Sequence, residues 1–204
     1  MSRYTGPRLR VLRALGTELP GLTRKSAENR TSPPGQHGNR PNRRKSEFGA
    51  QLMEKQKLRY NYGLNETQLR AVFREAERST LPTGEKLVEL LERRLDNIVF
   101  RGGLAPTLPA ARQLVRHRHV LLNGRRVNIP SIRLRVGDTV TLTEKGRAVQ
   151  SVVDALATPS LERAEWIAFD ASALSLRLAH LPPGDATPFP FESQKVVEFY
   201  ALRV

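Results

Sequence analysis

Residues 107–127 read TLPAARQLVRHRHVLLNGRRV, and the change of period inside this stretch decides the fold. Thr107 is a side-chain acceptor set just before apolar residues at helical spacing. It predicts a capped helix over Leu108–His117 with Leu114 and Val115 inward. A compact strand, Val120–Leu122, follows. Asn123-Gly124 then separates it from Arg125-Arg126-Val127. Asn-Gly between two strand-like runs is the strongest short-range hairpin signal, because a type I′ turn needs positive φ at both central positions. Upstream, Leu95, Ile98, Val99 and Phe100 make a helical face that Gly102-Gly103 stops. Downstream, beyond Ile129-Pro130, Ile132–Val136 and Thr139–Thr143 read as two more strands joined by Gly137-Asp138. Val140 and Leu142 alternate with Thr139, Thr141 and Thr143, giving one buried and one wet face. Helices followed by short strands make a small α+β module with an arginine-rich edge.

The segments on either side read differently. Gly6-Pro7, Leu19-Pro20-Gly21 and Ser32-Pro33-Pro34-Gly35 punctuate residues 1–45, which read as an extended arm with at most a short helix around Arg8–Leu15. Its few hydrophobes, Leu9, Leu12, Leu15 and Leu22, bury too little apolar area to offset ordering entropy, so the arm is expected to be ordered mainly by a ligand. From Ser46, a plausible N-cap, a helix runs over Glu47–Tyr62 to Gly63. Asn65 and Gln68 resemble a capping box opening a helix over Glu66–Arg78, with Leu69, Val72, Phe73 and Ala76 on its buried face. Thr83 caps a third helix, about Gly84–Arg94. After residue 150, Trp166–Phe169 and Leu174–Leu178 read as short strands, Val196–Tyr200 as a closing apolar segment, and Trp166 as core.

Composition narrows the function. The 204 residues hold 34 Lys+Arg against 20 Asp+Glu, a net charge of +14, and arginine outnumbers lysine 27 to 7. The excess is segregated: residues 1–45 and 93–150 carry +9 each, while 46–92 carry −1 and 151–204 carry −3. Clustered charge of one sign costs self-repulsion, which the phosphates of a nucleic acid relieve. Arginine suits bidentate phosphate contacts. The absence of cysteine excludes a disulfide scaffold, a thiolate metal site and cysteine catalysis. The longest charge-free stretch, Gly102–Ala111, is too short to span a bilayer, and no apolar signal core follows Arg3, so the protein is expected to be intracellular.

The candidate contacts follow the charge. In the arm they are Arg3, Arg8, Arg10, Arg13, Arg24, Lys25, Arg40, Arg43, Arg44 and Lys45, with Tyr4. On the first helix Lys55 and Arg59 lie one turn apart beside Lys57; such a row is either a solvated face or an RNA contact. In the module the candidates are Arg94, then Arg112 and Arg116 at i and i+4, a spacing that costs a few tenths of a kcal/mol unless phosphate relieves it. Both are expected to be surface contacts. Arg118, Arg125 and Arg126 join them, with Gln113, Asn123, Gly124, His117 and His119 as shape-reading polar groups; a structural role for the two histidines is the alternative. Their spacing suits no helical zinc pair. No P-loop, dinucleotide fingerprint, RNP sequence or paired acid/base site is present, so no enzyme and no cofactor is expected.

These residues also carry a resemblance. Glu92-Arg93-Arg94-Leu95-Asp96-Asn97-Ile98-Val99, Ala111–Val115 and Val120–Ser131 resemble the small ribosomal subunit protein of the S-four family. So do Ser2–Arg8, Pro33–Gly38, Glu54–Tyr60 and Val197–Tyr200, nearly from end to end. The resemblance implies an α+β fold: a basic extended arm (1–45), a helical domain (46–92) completed by part of the C-terminal segment, and an inserted α+β RNA-binding module with an antiparallel sheet (93–150). Residues 151–204 are then a segment packing back on the helical domain. It further implies direct binding to the five-prime domain of small-subunit ribosomal RNA, nucleation of subunit assembly, and contact with a neighbouring S-five family protein. A place along the channel that admits mRNA, an influence on decoding accuracy and, in several bacteria, repression of the family member's own operon also follow. The location is then the ribosome of the cytoplasm, with a plastid ribosome as the alternative, and no membrane. Two departures stand out. Many relatives hold zinc with four arm cysteines; here Leu9 and Leu12 fill the region of the first pair, as in the zinc-free subtype. Relatives usually place glycine between two histidines after the module's second helix, where this chain has Arg118. A rival reading, an accessory RNA-modification or stress protein, would use the same module. Another, a DNA-compacting polycation, needs no folded target.

Overall fold

The structure, a computed structural model, describes residues 4–30, 32–38 and 46–201. In chain order the helices α1 (Arg8–Leu15), α2 (Glu47–Asn61), α3 (Glu66–Glu77), α4 (Thr83–Glu92), α5 (Leu95–Arg101) and α6 (Leu108–Arg116) come first. Strands β1 (Val120–Leu122), β2 (Arg125–Arg126) and β3 (Thr139–Leu142), helices α7 (Glu144–Arg147) and α8 (Gln150–Ala157), strands β4 (Ile167–Asp170) and β5 (Ser175–Leu178), and helix α9 (Ser193–Ala201) follow. The fold is α+β, and the chain forms two compact units, Met1–Leu87 with Thr187–Val204, and Val88–Ala186.

The first unit is helical. Ser46 caps α2 by accepting from the Gly49 amide at 3.2 Å, and Asn65 and Gln68 close the expected capping box on α3. Helix α9 returns to α2 and α3 through rings: Phe199 stacks on Phe48 at 5.9 Å and Tyr200 lies 4.7 Å from Phe73. Buried polar groups fix the register. Lys57 donates to Glu54 at 2.6 Å and to the Pro190 carbonyl at 3.1 Å, and Glu54 accepts from the Glu192 amide at 3.1 Å. Glu66 accepts from Lys55 at 2.7 Å and from the Tyr200 hydroxyl at 2.9 Å. The described part of the arm packs on the helical unit. Leu12, Leu15, Leu19 and Leu22 are buried, α1 packs on α2, and the Gly21 amide donates to Asn61 Oδ1 at 2.9 Å. A Cβ on Gly21 would sit 2.7 Å from the Asn61 carbonyl oxygen, so glycine alone permits that approach.

The second unit stacks helices on a five-stranded antiparallel sheet of order β2-β1-β3-β5-β4. Its register places Val120 beside Leu142, and Val140 beside both Leu122 and Leu176, so one face is apolar. Two expectations are corrected here. Ile132–Val136 is no sheet strand. The backbone of residues 130–134 is taken by the start of α5: the Leu95 amide donates to Ile132 O at 2.8 Å, Asp96 to Pro130 O at 3.1 Å, and Leu134 to Arg93 O at 2.9 Å. The segment 151–204 also divides. Its first part, to Ala186, belongs to this unit because β5 completes the apolar face beside β3, and only the remainder packs on the helical unit. Trp166 is core, 5% exposed, with the Arg101 guanidinium 5.0 Å over its ring.

Burial pushes the Glu66 carboxyl up, but the hydrogen bonds from Lys55 and Tyr200 outweigh it and hold it below its ordinary value of 4.5. A depressed carboxyl contributes stability above that value and loses it as pH falls through the lowered one. Glu66→Gln is therefore expected to be less stable than wild type at neutral pH and to show a shallower loss of stability below about pH 4.5, measured by urea unfolding across pH.

Candidate nucleic-acid interface

The hairpin forms as its residues require. Asn123 has φ 48° and Gly124 φ 78°, the two positive values of a type I′ turn. The Asn123 side chain also ties the hairpin to the next turn. Its Nδ2 donates to Asp138 at 2.8 Å, and its Oδ1 accepts from the Thr139 amide at 2.9 Å. Asn123, still exposed, thus also aims the hairpin. Arg125 and Arg126 pair opposite Leu122 and Leu121 on the sheet edge, and both are exposed. Successive strand residues face opposite sides, so the two guanidiniums flank the edge.

Helix α6 feeds this hairpin directly. Thr107 caps it, accepting from the Ala110 amide at 3.4 Å. At its other end Gln113, Arg116, His117 and Arg118 are exposed and His119 is half-buried, its ring 6.2 Å from that of His117. Arg118 has φ 62°, a left-handed backbone that lets its amide donate to the Val115 carbonyl and that of His119 to Leu114. Arg112 differs from Arg116. It donates to Asp96 at 2.9 and 3.2 Å, while Arg94 holds the same carboxylate with a second pair of bonds at 2.9 and 3.0 Å. The Asp96 side chain has no exposed surface. Arg94 and Arg112 are thus cross-braces of the unit, and the expectation of an exposed Arg112 is corrected.

In the helical unit Arg8, Arg10, Arg24 and Lys25 are exposed along the arm, and Tyr4, also exposed, sets its ring edge-on to Tyr60 at 5.2 Å. Arg13 turns back, donating to the Ser32 carbonyl at 2.9 Å and to that of Pro33 at 3.3 Å. Lys55 and Lys57 are buried on Glu66 and Glu54, and Arg59 donates to Gln56 at 3.2 Å, so the expected basic row on α2 is largely neutralised inside the fold. Arg3, Arg40, Arg43, Arg44 and Lys45 lie outside the described residues. Among the described residues no cluster of His, Asp and Glu is placed to hold a metal ion, and no helix is long and apolar enough to cross a membrane.

Comparison with known proteins gives this arrangement its family. Residues 3–92 match the "Ribosomal protein S4/S9 N-terminal domain", and residues 93–140 match the "S4 domain". The chain is 58% identical to small ribosomal subunit protein uS4 of Methylobacillus flagellatus, with 100% of both chains covered. It is 56% identical to uS4B of Nitrosomonas europaea and 47% identical to uS4 of a Synechococcus strain, again over 100% of each chain. The chain belongs to the uS4 family of small ribosomal subunit proteins. It is a structural constituent of the cytoplasmic ribosome's small subunit and not an enzyme, and its S4 domain binds ribosomal RNA.

As a uS4-family chain it carries cations that charge counting passed over. Arg70, Arg74 and Arg78 are all exposed on or next to α3, in the block whose net charge is −1. Their i, i+4, i+8 spacing was the signal available in the sequence, hidden by the acidic residues of the same block. Arg118 holds its left-handed backbone without glycine's freedom, at a cost of about 1 kcal/mol. Two sets of variants test the sorting. Arg112→Ala is expected to cost about 3 kcal/mol in denaturant unfolding, because it strips a partner from a buried carboxylate, whereas Arg116→Ala should stay within about 0.5 kcal/mol. Arg118→Gly should gain about 1 kcal/mol of stability while weakening RNA binding; a gain in both would remove Arg118 from the interface.

Proposed function

We propose that this chain is a primary binder of small-subunit ribosomal RNA: it recognises the five-prime domain at a multi-helix junction and nucleates assembly of the subunit body. The observation that carries the reading is the cluster of unspent cations on one element pair. Arg116, Arg118, Arg125 and Arg126 stay exposed at the end of α6 and along β2, while Arg94 and Arg112 behind them are consumed in holding the scaffold. A rigid hairpin edge presenting guanidiniums can neutralise phosphates where RNA helices converge. It recognises fold more than sequence, because the A-form major groove hides base edges from side chains. His117 and Gln113 add polar contacts beside them.

The exposed arm cations, Arg8, Arg10, Arg24 and Lys25, extend the contact on the helical unit, together with Arg3, Arg40, Arg43, Arg44 and Lys45. On this reading the chain neighbours an S-five family protein, contributes to the region where mRNA enters the subunit, and through it influences decoding accuracy. None of these roles calls for chemistry at a bond. The resemblance set out from the sequence and the family membership support them, and the geometry supplies the means of the first.

A salt-titrated competition tests the proposal. Labelled five-prime-domain RNA faces excess transfer RNA, duplex DNA, and the same RNA with its junction disrupted. With six to ten phosphate contacts, affinity should fall by about three to five decades between roughly 50 and 200 mM salt. Only the intact junction should compete, and the preference should persist at the higher salt. Equal competition by all of them, vanishing with salt, would leave a generic polycation.

A further inference from the structure

We propose that the outer face of α3 is a second RNA-backbone contact: Arg70, Arg74 and Arg78 take phosphates of a ribosomal RNA strand running along the helix. The inference rests on the reading that the chain binds small-subunit RNA, and it adds a surface that neither the arm nor the hairpin supplies. Four residues rise about 6 Å along an α-helix, so the arginines form one row, and Leu69, Val72, Phe73 and Ala76 bury the opposite face. All three side chains are exposed.

The row is unpaired where pairing was easiest. Glu66 lies four residues before Arg70, the spacing at which a carboxylate relieves a helical arginine. The fold turns Glu66 inward instead, onto Lys55 and the Tyr200 hydroxyl. Among the described residues none of Arg70, Arg74 and Arg78 is ion-paired, whereas Lys55, Lys57, Arg93 and Arg101 each hold a carboxylate. Like charges one turn apart repel, Glu75 and Glu77 on the same helix offset part of that repulsion, and an anion along the row relieves the rest. The row is all arginine, whose planar fork matches phosphate oxygens two at a time. A line of guanidiniums on a convex helix suits a nucleic-acid backbone, with its regular charge, better than an acidic protein face.

The test uses the full chain carrying Arg70→Gln, Arg74→Gln and Arg78→Gln, titrated against five-prime-domain RNA over a range of salt. Affinity at low salt is expected to drop at least about tenfold, and the log–log salt slope to shrink by about two, with melting as in wild type. Replacing all three with lysine should keep most of the slope. Should the triple glutamine variant melt early, Arg74→Gln alone should remove about 0.7 of a unit of slope. Unchanged affinity and slope, alongside a loss in Arg125→Gln/Arg126→Gln, would overturn the α3 contact and leave the RNA reading standing. Normal RNA binding with failure to enter reconstituted subunits would also overturn it, giving the face to a protein neighbour. Lack of any preference for the intact junction in wild type would take down the RNA reading and this contact with it.

Discussion

Asp96 is a carboxylate with no exposed side-chain surface, and an ion so placed costs several kcal/mol unless it is paired and hydrogen-bonded. Here two guanidiniums, Arg94 from just before α5 and Arg112 from the middle of α6, close on it from separate elements. The Asn97 amide donates to the same carboxylate at 3.0 Å. The Asp96 amide meanwhile captures the Pro130 carbonyl, at the head of the segment that would otherwise have been a sheet strand. The neutralised carboxylate thus ties α5 to α6, while the main chain around it holds the path of residues 130–134. Beside it Glu92, equally buried, accepts from Asn97 at 2.9 Å and lies 3.4 Å from Arg101.

That arrangement divides the basic residues of the chain into two populations with different work. Arginines and lysines holding a carboxylate within the fold are braces: Arg93, Arg94, Arg101 and Arg112 in one unit, Lys55 and Lys57 in the other. Each makes the scaffold stiffer and subtracts from the charge available to RNA. Others, among them Arg116, Arg118, Arg125 and Arg126, stand at exposed positions open to phosphate. A protein with a net charge of +14 can remain compact in part because the first population is neutralised internally, leaving self-repulsion to the second. The strained backbone at Arg118 belongs to the same economy, since the fold keeps an arginine at the surface where glycine would be easier.

Much of the local structure was legible because it is governed by short-range chemistry. The N-caps at Ser46 and Thr107, the Asn65–Gln68 box and the Asn123-Gly124 turn depend on groups a few residues apart, and each formed where the residues indicate. The break between α4 and α5 was less visible: apolar spacing runs on through Leu95, but Arg94 is extended and caps a new helix. In the arm the short helix around Arg8–Leu15 formed where the residues indicate. Its leucines are too few for a core of their own, yet sufficient when α2 supplies the other wall.

By itself the sequence determined the fold class, the capped helices and the hairpin, the segregation of charge and the family to which the chain belongs. These rest on periodicity, turn chemistry and long runs of matching residues, all of which are local in the chain. Only the tertiary structure decided which cations are free. Arg112 and Arg116 are one turn apart on the same helix and indistinguishable as letters, but Asp96, sixteen positions before Arg112, consumes one and leaves the other. The same holds for Glu66, which sequence spacing offers to Arg70 and the fold gives to Lys55 and Tyr200. Charge pairing is settled by distance in space and by burial, and neither quantity can be read from the order of residues.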